Sequence, residues 1–314
     1  MKPPLLVVVG PTGVGKTAVA VRLAAMLPIE AVSADSRQVY RGMDIGTGKP
    51  SAAERAALTH HLIDVIDPDE RYHVARFRAE ALAAIEGIHG RGRLPVVVGG
   101  TGLYVRALLK GLRSAPPADP ALRAELDAFA DAHGVLALHR RLADLDPIAA
   151  ARLHPRDRVR LVRALEVRVI APPAGASPAN GEWTAGAVSW RLLMVGLRQS
   201  REALRARLAD RARAMARDGL LDEVRRLLAA GHGESRPAMD GIGYRQFCAV
   251  ARGRLPVEEA LRLMIRDTVR YAKRQMTWFA RDAEIRWIDV DAAGGPEGAA
   301  EFIAKQIAQE GWIE

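Results

Sequence analysis

Eight residues near the start of the chain have the types and spacing of a phosphate-binding loop. They fit the pattern G-x-x-x-x-G-K-[ST] and are Gly10, Pro11, Thr12, Gly13, Val14, Gly15, Lys16 and Thr17. A glycine-rich turn that leads into a helix directs backbone N–H groups at an anion. In this pattern the lysine reaches the outer phosphate and the hydroxyl of Thr17 binds Mg²⁺. A strand-like run at residues 5–9 and helix-forming residues at 18–27 disfavour the alternative, a chance glycine-rich turn. We therefore predict that the chain binds a diphosphate or a triphosphate.

Two polar residues follow later strand-like runs. Asp35 comes after residues 29–34, and Thr101 comes shortly after residues 94–98. In an open parallel sheet, residues just past the carboxyl ends of strands line the ligand crevice, so we expect both side chains beside the phosphate loop. Each of them could instead cap the N-terminus of a helix, and placement alone leaves both interpretations open.

The run at residues 94–98 ends in Gly99, Gly100 and Thr101 rather than in an aspartate. Enzymes that hydrolyse nucleoside triphosphates on a phosphate loop usually hold Mg²⁺ with an aspartate after such a strand. Its absence disfavours an ATPase, and the two glycines indicate close approach of a ligand to the backbone.

Strand-like and helix-like stretches alternate along most of the chain. This predicts an α/β fold, a P-loop NTPase-like parallel sheet flanked by helices. Further strands are expected at residues 60–65, 192–197 and 284–289, and further helices at 74–89, 201–230 (broken near Gly219), 257–282 and 297–309. From residue 114 the sequence is helix-like between proline-containing joints at 114–117 and 172–186, which predicts an inserted helical subdomain. The expected organisation is a catalytic core at 1–113, the insertion at 114–190 and the rest of the core at 191–314.

The chain is strongly basic. Its formal net charge is +9, and forty of its 46 basic residues are arginine. An arginine-rich surface suits a polyanionic partner, although genomic codon preference could give the same excess. Residues 151–170 alone carry net +4, from six arginines against Asp157 and Glu166. Phosphate-backbone contact and an ordinary solvated helix surface with local ion pairs both remain open there.

The composition also indicates where the protein works. A single cysteine, Cys248, excludes an internal disulfide framework and suits a reducing compartment. No apolar run approaches the length that spans a bilayer, and no targeting segment is evident. We expect a soluble cytoplasmic protein without a membrane partner.

Six motifs in the same order resemble the tRNA dimethylallyltransferase family, which isopentenylates adenosine 37 of tRNA. They are the phosphate loop at 10–17, DSRQVY at 35–40 with MDIGTGKP at 43–50, GGTGLY at 99–104, RLVRALEV at 160–167, GYRQ at 243–246 and AKRQMTWF at 272–279. The resemblance covers essentially the whole chain. Two departures are Gly13-Val14, where the family usually has Ala-Ser, and Asp240-Gly241, which is a variable position.

The resemblance implies a donor, an acceptor and a reaction. The loop would bind dimethylallyl diphosphate rather than ATP, and the dimethylallyl group would pass to N6 of adenosine 37 in tRNAs that read codons beginning with U. The products would be N6-isopentenyladenosine and diphosphate. Lys16, the loop amides and Mg²⁺ on Thr17 would stabilise the leaving diphosphate. Asp35 would act as general base, and Thr101 would orient the base or the diphosphate.

The family's tRNA contacts carry over onto three stretches and two single residues. They are Asp35, Ser36, Arg37, Gln38, Thr101, Arg123, Val159, Arg160, Leu161, Val162, Arg163, Asp240, Gly241, Ile242, Gly243, Tyr244 and Arg245. The insertion would bind the anticodon stem-loop, and we expect a monomer. Two alternatives are a small-molecule kinase, which leaves the basic insertion unexplained, and an RNA-binding NTPase switch, which lacks the expected aspartate.

Overall fold

The computed structural model describes residues 2–112, 116–170, 190–234 and 236–312. The chain divides into two compact units. The first comprises Met1–Leu108 and Ser189–Glu314, and the second comprises Leu109–Val188. Residues 114–115 and 172–186 of the two predicted joints lie outside the described residues.

The first unit is built on a six-stranded parallel sheet. Its strands are β1 (Pro4–Val9), β2 (Ile29–Ala34), β3 (His60–His61), β4 (Leu94–Gly99), β5 (Arg191–Arg198) and β6 (Arg286–Asp289), in the order β3-β2-β4-β1-β5-β6. The central strands are continuous apolar runs that are almost entirely buried, as expected for a parallel sheet covered on both faces. The predicted α/β class with a flanked parallel sheet is confirmed.

Nine of the thirteen helices in the described residues accompany this sheet. They are α1 (Lys16–Ala24), α2 (Ala52–Ala57), α3 (Val74–Gly90), α4 (Gly102–Lys110), α9 (Arg201–Arg217), α10 (Leu220–Ala229), α11 (Tyr244–Ala251), α12 (Val257–Phe279) and α13 (Gly295–Gln309) from the first unit, with α4 ending just past its boundary. One apolar core joins α1 and α13 to the sheet. A second core packs α9, α10, α11 and α12 against residues 39–43. None of the described helices is both long and apolar enough to cross a bilayer.

Local sequence features explain most of these helix and strand boundaries, including one that differs from the prediction. The predicted break near Gly219 is confirmed: Gly219 has a φ of 103° and separates α9 from α10. The strand expected at residues 60–65 is only two residues long, because Leu62 and Asp64 adopt left-handed φ values of 63° and 59° that end the extended backbone. Helix α2 was not predicted, although Ser51 and Glu54 form a capping box at its start.

The second unit is helical in its described part. Its helices are α5 (Pro120–His133), α6 (Val135–Leu145), α7 (Pro147–Arg152) and α8 (Arg158–Ile170). Helices α5 and α7 begin with an aspartate cap followed by proline, a combination typical of helix N-termini. Leucines from α5, α6 and α8 form the core of this unit. The helical character predicted for the insertion is therefore observed.

Candidate active site

The phosphate loop joins β1 to α1. Its glycines are required because neighbouring side chains approach the backbone closely and because φ is positive there. Gly13 has a φ of 79°, and a Cβ there would lie 2.5 Å from Cδ2 of Leu208. Gly15 has a φ of 103° and forms the N-cap of α1. A Cβ on Gly15 would lie 3.5 Å from Nη2 of Arg207, so this guanidinium lies directly over the loop.

Val14 accounts for one departure from the family pattern. Its side chain is fully buried in the core that joins α1 to the sheet. Position 14 therefore contributes packing, and its side chain does not face the cavity beside the loop.

Lys16 lies at the first residue of α1, with its ammonium group folded back on the loop. Nζ donates hydrogen bonds to the carbonyl oxygens of Gly10 and Pro11, both at 2.9 Å. Burial lowers the pKa of Lys16 to about 8; the negative charge of Asp35 opposes this shift, and Arg211 adds to it. The phosphate loop thus holds a cation that is poorly solvated.

Gln275 connects the phosphate loop to the end of β4. The side chain is buried on α12, its Oε1 accepts from the backbone N–H of Thr12 at 2.8 Å, and its Nε2 donates to the carbonyl oxygen of Gly100 at 2.9 Å. A Cβ on Gly100 would lie 2.2 Å from this amide nitrogen, which explains the glycine there. Sequence reasoning did not single out Gln275, although it belongs to the AKRQMTWF motif.

Asp35 and Thr101 are brought together by the ends of β2 and β4. Oδ1 of Asp35 accepts from the backbone N–H groups of Arg37 at 2.8 Å and Gln38 at 3.4 Å, so Asp35 caps the turn after β2 rather than a helix. The hydroxyl oxygen of Thr101 accepts from the N–H of Ser36 at 3.1 Å. Strand β4 lies between β1 and β2, so Asp35 reaches the phosphate loop across the end of β4.

Tyr271 of α12 completes this polar group. Burial raises the pKa of Tyr271 to about 12; the charge of Asp35 adds to the shift, and a hydrogen-bond interaction with Thr101 opposes it. Tyr271 therefore stays protonated at neutral pH and presents a neutral hydroxyl beside Asp35 and Thr101. Nothing in the local sequence distinguishes this tyrosine from its neighbours.

Two cavities of the first unit meet at Asp35. The phosphate cavity, about 1270 Å³, is lined by the loop, including Lys16 and Thr17, and by residues of α2 and α9. The arginine cavity, about 630 Å³, lies on the other side. Five residues line both cavities: Thr12, Asp35, Thr47, Arg211 and Met215.

Six arginines line the arginine cavity. They are Arg37, Arg211, Arg245, Arg266, Arg270 and Arg274. Three of these arginines, 266, 270 and 274, belong to α12, whereas two other basic residues of the same stretch, Lys273 and Arg281, line neither cavity. The carboxylate of Asp267 accepts from Arg245 at 2.6 Å and from Arg266 at 2.9 Å and orients part of this set.

The turn at residues 240–245 lies at the same cavity, with Tyr244 buried and the side chains of Asp240 and Arg245 exposed. Tyr244 is buried, and its hydroxyl donates to Glu223 at 2.6 Å. The N–H of Gly243 donates to Oε1 of Gln246 at 2.8 Å. Asp240, Gly241, Ile242 and Arg245 line the arginine cavity together with the ring of Tyr244.

The remaining predicted tRNA contacts belong to the second unit. Val159 and Arg160 are exposed at the start of α8, whereas Leu161 and Val162 are buried in the helical core. Arg123 and Arg163 both bind the fully buried Glu166. Burial alone would raise the pKa of Glu166, but the hydrogen bonds from Arg123, Arg163 and the N–H of Asp119 lower it to about 2.

Much of the net positive charge of residues 151–170 is therefore used within the unit. Arg158 binds Asp127 and Asp131, and Arg168 binds the buried Asp146. The alternative of local ion pairing holds for these arginines. Arg160 also pairs with Asp157, at 3.4 Å, but its side chain is 68% exposed.

Comparison with known proteins agrees with this geometry. A model of the family described as IPP transferase matches residues 38–282, and one described as isopentenyl transferase matches residues 3–66. The chain belongs to the IPP transferase family. It is 48% identical to the tRNA dimethylallyltransferase of Desulforudis audaxviator, over 98% of this chain and 99% of that protein. It is 50% identical to tRNA dimethylallyltransferase 1 of Syntrophotalea carbinolica, over 92% of this chain and 91% of that protein.

Solved structures give the same assignment for this IPP transferase family member. The full-length tRNA isopentenylpyrophosphate transferase of Bacillus halodurans has a TM-score of 0.71 and 40% identity, over 99% of this chain and 98% of that one. A eukaryotic dimethylallyltransferase acting on tRNA has a TM-score of 0.76 and 28% identity, over 91% and 74% of the two chains. The comparisons give the small-molecule kinase alternative no support.

Proposed function

We propose that the protein transfers the dimethylallyl group of dimethylallyl diphosphate to N6 of adenosine 37 in tRNAs that read codons beginning with U. The products are N6-isopentenyladenosine and diphosphate. The observation that carries the proposal is the meeting of the phosphate cavity and the arginine cavity at Asp35. A donor with a charged leaving group enters one cavity, and an acceptor nucleotide enters the other.

The phosphate loop and α9 supply the charge that the leaving group needs. Diphosphate gains negative charge as the bond between its oxygen and C1 of the dimethylallyl group breaks. Lys16, Arg207 and Arg211 line the phosphate cavity, and the loop amides at the N-terminus of α1 add their dipoles. Fixed positive groups of this kind stabilise developing charge without reorganising during the reaction.

Thr17 is the residue that we assign to Mg²⁺. It lines the phosphate cavity, and among the described residues no group of three or more His, Cys, Asp or Glu side chains could form a metal site. A single protein hydroxyl fits an ion whose other ligands are diphosphate oxygens and water, the arrangement that Mg²⁺ favours at phosphate sites. When bound, the ion would supply further charge neutralisation for the diphosphate.

Asp35 takes the proton that N6 loses. The N6 lone pair is delocalised into the adenine ring, so attack on C1 requires removal of a proton as the new bond forms. Oδ1 of Asp35 is used by the backbone turn, and Oδ2 accepts no hydrogen bond within the described part of the chain. That oxygen is available as general base, and Tyr271 and Thr101 provide neutral hydroxyls beside it.

The acceptor reaches Asp35 through the arginine cavity. An enzyme that acts on a base takes the nucleotide out of its stack, and single-stranded loops offer such bases most readily. The six arginines of the cavity suit the phosphates on either side of a flipped adenosine. We assign the anticodon stem-loop as the partner, with Arg160 of α8 as a further phosphate contact.

Mass spectrometry of nuclease-digested tRNA tests this function. After incubation of the protein with dimethylallyl diphosphate, Mg²⁺ and unmodified tRNA, we expect isopentenyladenosine at position 37 and release of diphosphate. A tRNA with guanosine at position 37 is the matched control. Unmodified tRNA together with consumption of ATP in a parallel incubation would contradict the proposal and favour a kinase.

We further propose that the enzyme acts as a cytoplasmic monomer. The proposal rests on the single cysteine, the lack of a membrane-spanning helix among the described residues and a site built within one unit of one chain. Light scattering at micromolar concentration tests the monomer, and a mass near 34.0 kDa is expected.

A further inference from the structure

Glu223 is a buried carboxylate that lies outside the two cavities. It stands in the first turn of α10 and is 1% exposed. Oε2 accepts from the N–H groups of Asp44 at 2.9 Å and Ile45 at 2.8 Å. Oε1 accepts from the N–H of Gly46 at 3.1 Å and from the hydroxyl of Tyr244 at 2.6 Å. One side chain thus binds three consecutive backbone amides and one tyrosine.

This carboxylate is stabilised by dipoles rather than by a cation. Within the described residues, no lysine or arginine nitrogen lies within ion-pair distance of Glu223. A buried charge is costly unless hydrogen bonds satisfy it, and four donors together with the N-terminus of α10 do so here. The consequence is a fixed conformation for residues 44–46, which belong to no helix or strand.

The segment held in this way forms part of the wall between the two cavities. Thr47 lines both of them. The carbonyl oxygen of Gly48 accepts from Nη2 of Arg211 and from Nε2 of Gln38, each at 3.2 Å. A Cβ on Gly48 would lie 1.7 Å from Nη2 of Arg211, so the guanidinium packs directly on the backbone of this residue.

The far end of the same segment is also fixed. Lys49 has a side chain that is 1% exposed, and its Nζ donates to the carbonyl oxygen of Tyr40 and to Oδ1 of Asp44, both at 2.6 Å, and to Asp64. Residues 44–49 are thus held by Glu223 at one end and by Lys49 at the other. The position of Gly48, and with it that of Arg211, follows from these two attachments.

We propose that Glu223 is a positioning residue: it holds residues 44–48 so that the carbonyl group of Gly48 directs Arg211 at the diphosphate. The assignment rests on the proposed function insofar as Arg211 serves the diphosphate. It does not require that the transfer itself occur. A merely structural role for Glu223 would change the stability of the fold and leave the diphosphate affinity of the folded protein unchanged.

Titration calorimetry with inorganic diphosphate and Mg²⁺, without tRNA or prenyl donor, tests the proposal. Glu223→Gln should weaken diphosphate binding about tenfold, the loss expected for one misdirected charge-assisted hydrogen bond. Hydrogen exchange of residues 44–46 should accelerate in the same variant. Asp222→Asn is the matched control, because Asp222 is an exposed neighbour on the same helix that pairs with Arg225. Faster exchange with an unchanged dissociation constant would overturn the proposal.

A double-mutant cycle identifies Arg211 as the intermediary. Arg211→Ala alone should weaken diphosphate binding, and adding Glu223→Gln to it should weaken binding no further, because the second change acts through the first. Additive losses would show that Glu223 acts by another route and would overturn the proposal. If Glu223→Gln does not fold, Tyr244→Phe takes its place in the cycle, since it removes one of the four donors and keeps the carboxylate. An unchanged dissociation constant in Tyr244→Phe would then count against the proposal.

The calorimetric cycle and the tRNA-modification assay distinguish a failure of the positioning role from a failure of the proposed function. If the wild-type protein modifies no tRNA but the calorimetric cycle behaves as described, the positioning role stands and the assigned reaction is wrong. If the wild-type protein modifies tRNA and the cycle is additive, the reaction stands and the positioning role is wrong. A wild-type protein that binds no diphosphate contradicts both.

Discussion

At the scale of single residues, Lys16 and Asp35 are the two charged side chains on which the proposed reaction depends. The ammonium group of Lys16 is held on two backbone carbonyls in a poorly solvated position, and Asp35 lies near it at the junction of the cavities. A bound diphosphate would supply the anion that favours the charged form of Lys16. Binding and protonation at this residue are therefore linked.

The linkage gives a prediction for Lys16→Met. Because the pKa of Lys16 is lowered to about 8, its charge is lost from the ligand-free protein above that pH. The ratio of diphosphate affinities between wild type and variant should thus fall about tenfold between pH 7 and pH 9, measured by calorimetry. Titration of the diphosphate itself affects both proteins equally and therefore cancels in this ratio. Lys305→Met, at an exposed position of α13, should show wild-type binding throughout, and a ratio independent of pH would contradict the assignment of Lys16.

The lowered pKa of Lys16 also affects the stability of the fold, which it reduces at neutral pH. The folded protein prefers neutral Lys16, so the cost of burying the charge is full below about pH 8 and is relieved as pH rises towards the ordinary value of 10.5. Lys16→Met should accordingly raise the free energy of unfolding at pH 7 by about 1–3 kcal/mol. Urea unfolding measures this gain, which should shrink above pH 8.

Asp35 gives the second prediction at this scale. Asn at position 35 keeps an oxygen for the N–H groups of Arg37 and Gln38, so Asp35→Asn should leave the melting temperature nearly unchanged. Single-turnover transfer with both substrates saturating should slow by about 10²–10⁴-fold, the usual loss for a missing general base. Asp67→Asn, which alters an exposed pair with Arg41, is the control. A rate within about threefold of wild type would assign the proton to another acceptor.

At the scale of secondary-structure elements, α8 combines two kinds of arginine. The side chain of Arg160 is 68% exposed and forms a 3.4 Å ion pair with Asp157. Arg163, three residues along the helix, binds the buried Glu166 and donates to the carbonyl oxygen of Pro116 at 2.8 Å. The first is available to a ligand, and the second joins parts of the helical unit. Equal charge on one helix therefore does not mean equal function.

This difference predicts separate effects for the two arginines. Arg160→Ala should lower the slope of log K against log salt for tRNA binding by about 0.7–0.9, as for one lost phosphate contact, at an unchanged melting temperature. Arg163→Ala should lower the melting temperature, because Glu166 loses a partner while buried. Arg22→Ala, at an exposed pair with Glu297, should change neither quantity. An unchanged salt slope in Arg160→Ala would make this residue part of a solvated face.

At the scale of the whole molecule, the two units depend on different ionic groups. In the first unit, hydrogen bonds from Arg91 and His61 lower the pKa of Glu30 to about 2 even though burial opposes the shift. In the second, Glu166 is held at a similarly low pKa by Arg123 and Arg163. The residues that we assign to the diphosphate all lie in the first unit. The stability of the second unit can therefore be changed separately.

Glu166→Gln should show this separation. A carboxylate whose folded pKa is lowered contributes stability above its unfolded value of about 4.5, and the contribution is lost as pH falls towards 2. We expect the variant to lose about 2–3 kcal/mol at pH 7 and progressively less than that, relative to wild type, below pH 4.5. Calorimetric melting measures the loss, and inorganic diphosphate binding should stay unchanged. The exposed Glu125→Gln is the control; weakened diphosphate binding in Glu166→Gln would contradict the separation.

Features that depend on neighbouring residues could be predicted before the fold was known. The glycines and Lys16 fix a phosphate loop because the backbone conformation they need is local. The buried apolar runs specify parallel strands, and Gly219 ends a helix where it was expected. The six ordered motifs pointed to the family that the comparisons then identified.

Contacts between groups that are distant in the chain become visible only in the folded molecule. Gln275 reaches the phosphate loop across 263 residues, and Glu223 reaches the backbone of residues 44–46 across about 178. Neither contact can be predicted from the local spacing of residues or from hydrophobic periodicity. The order of the strands, with β4 between β1 and β2, likewise brings Asp35 to the loop across a third strand end. These placements depend on long-range packing, because a side chain's partner is set by the folding of the whole sheet and the helices around it.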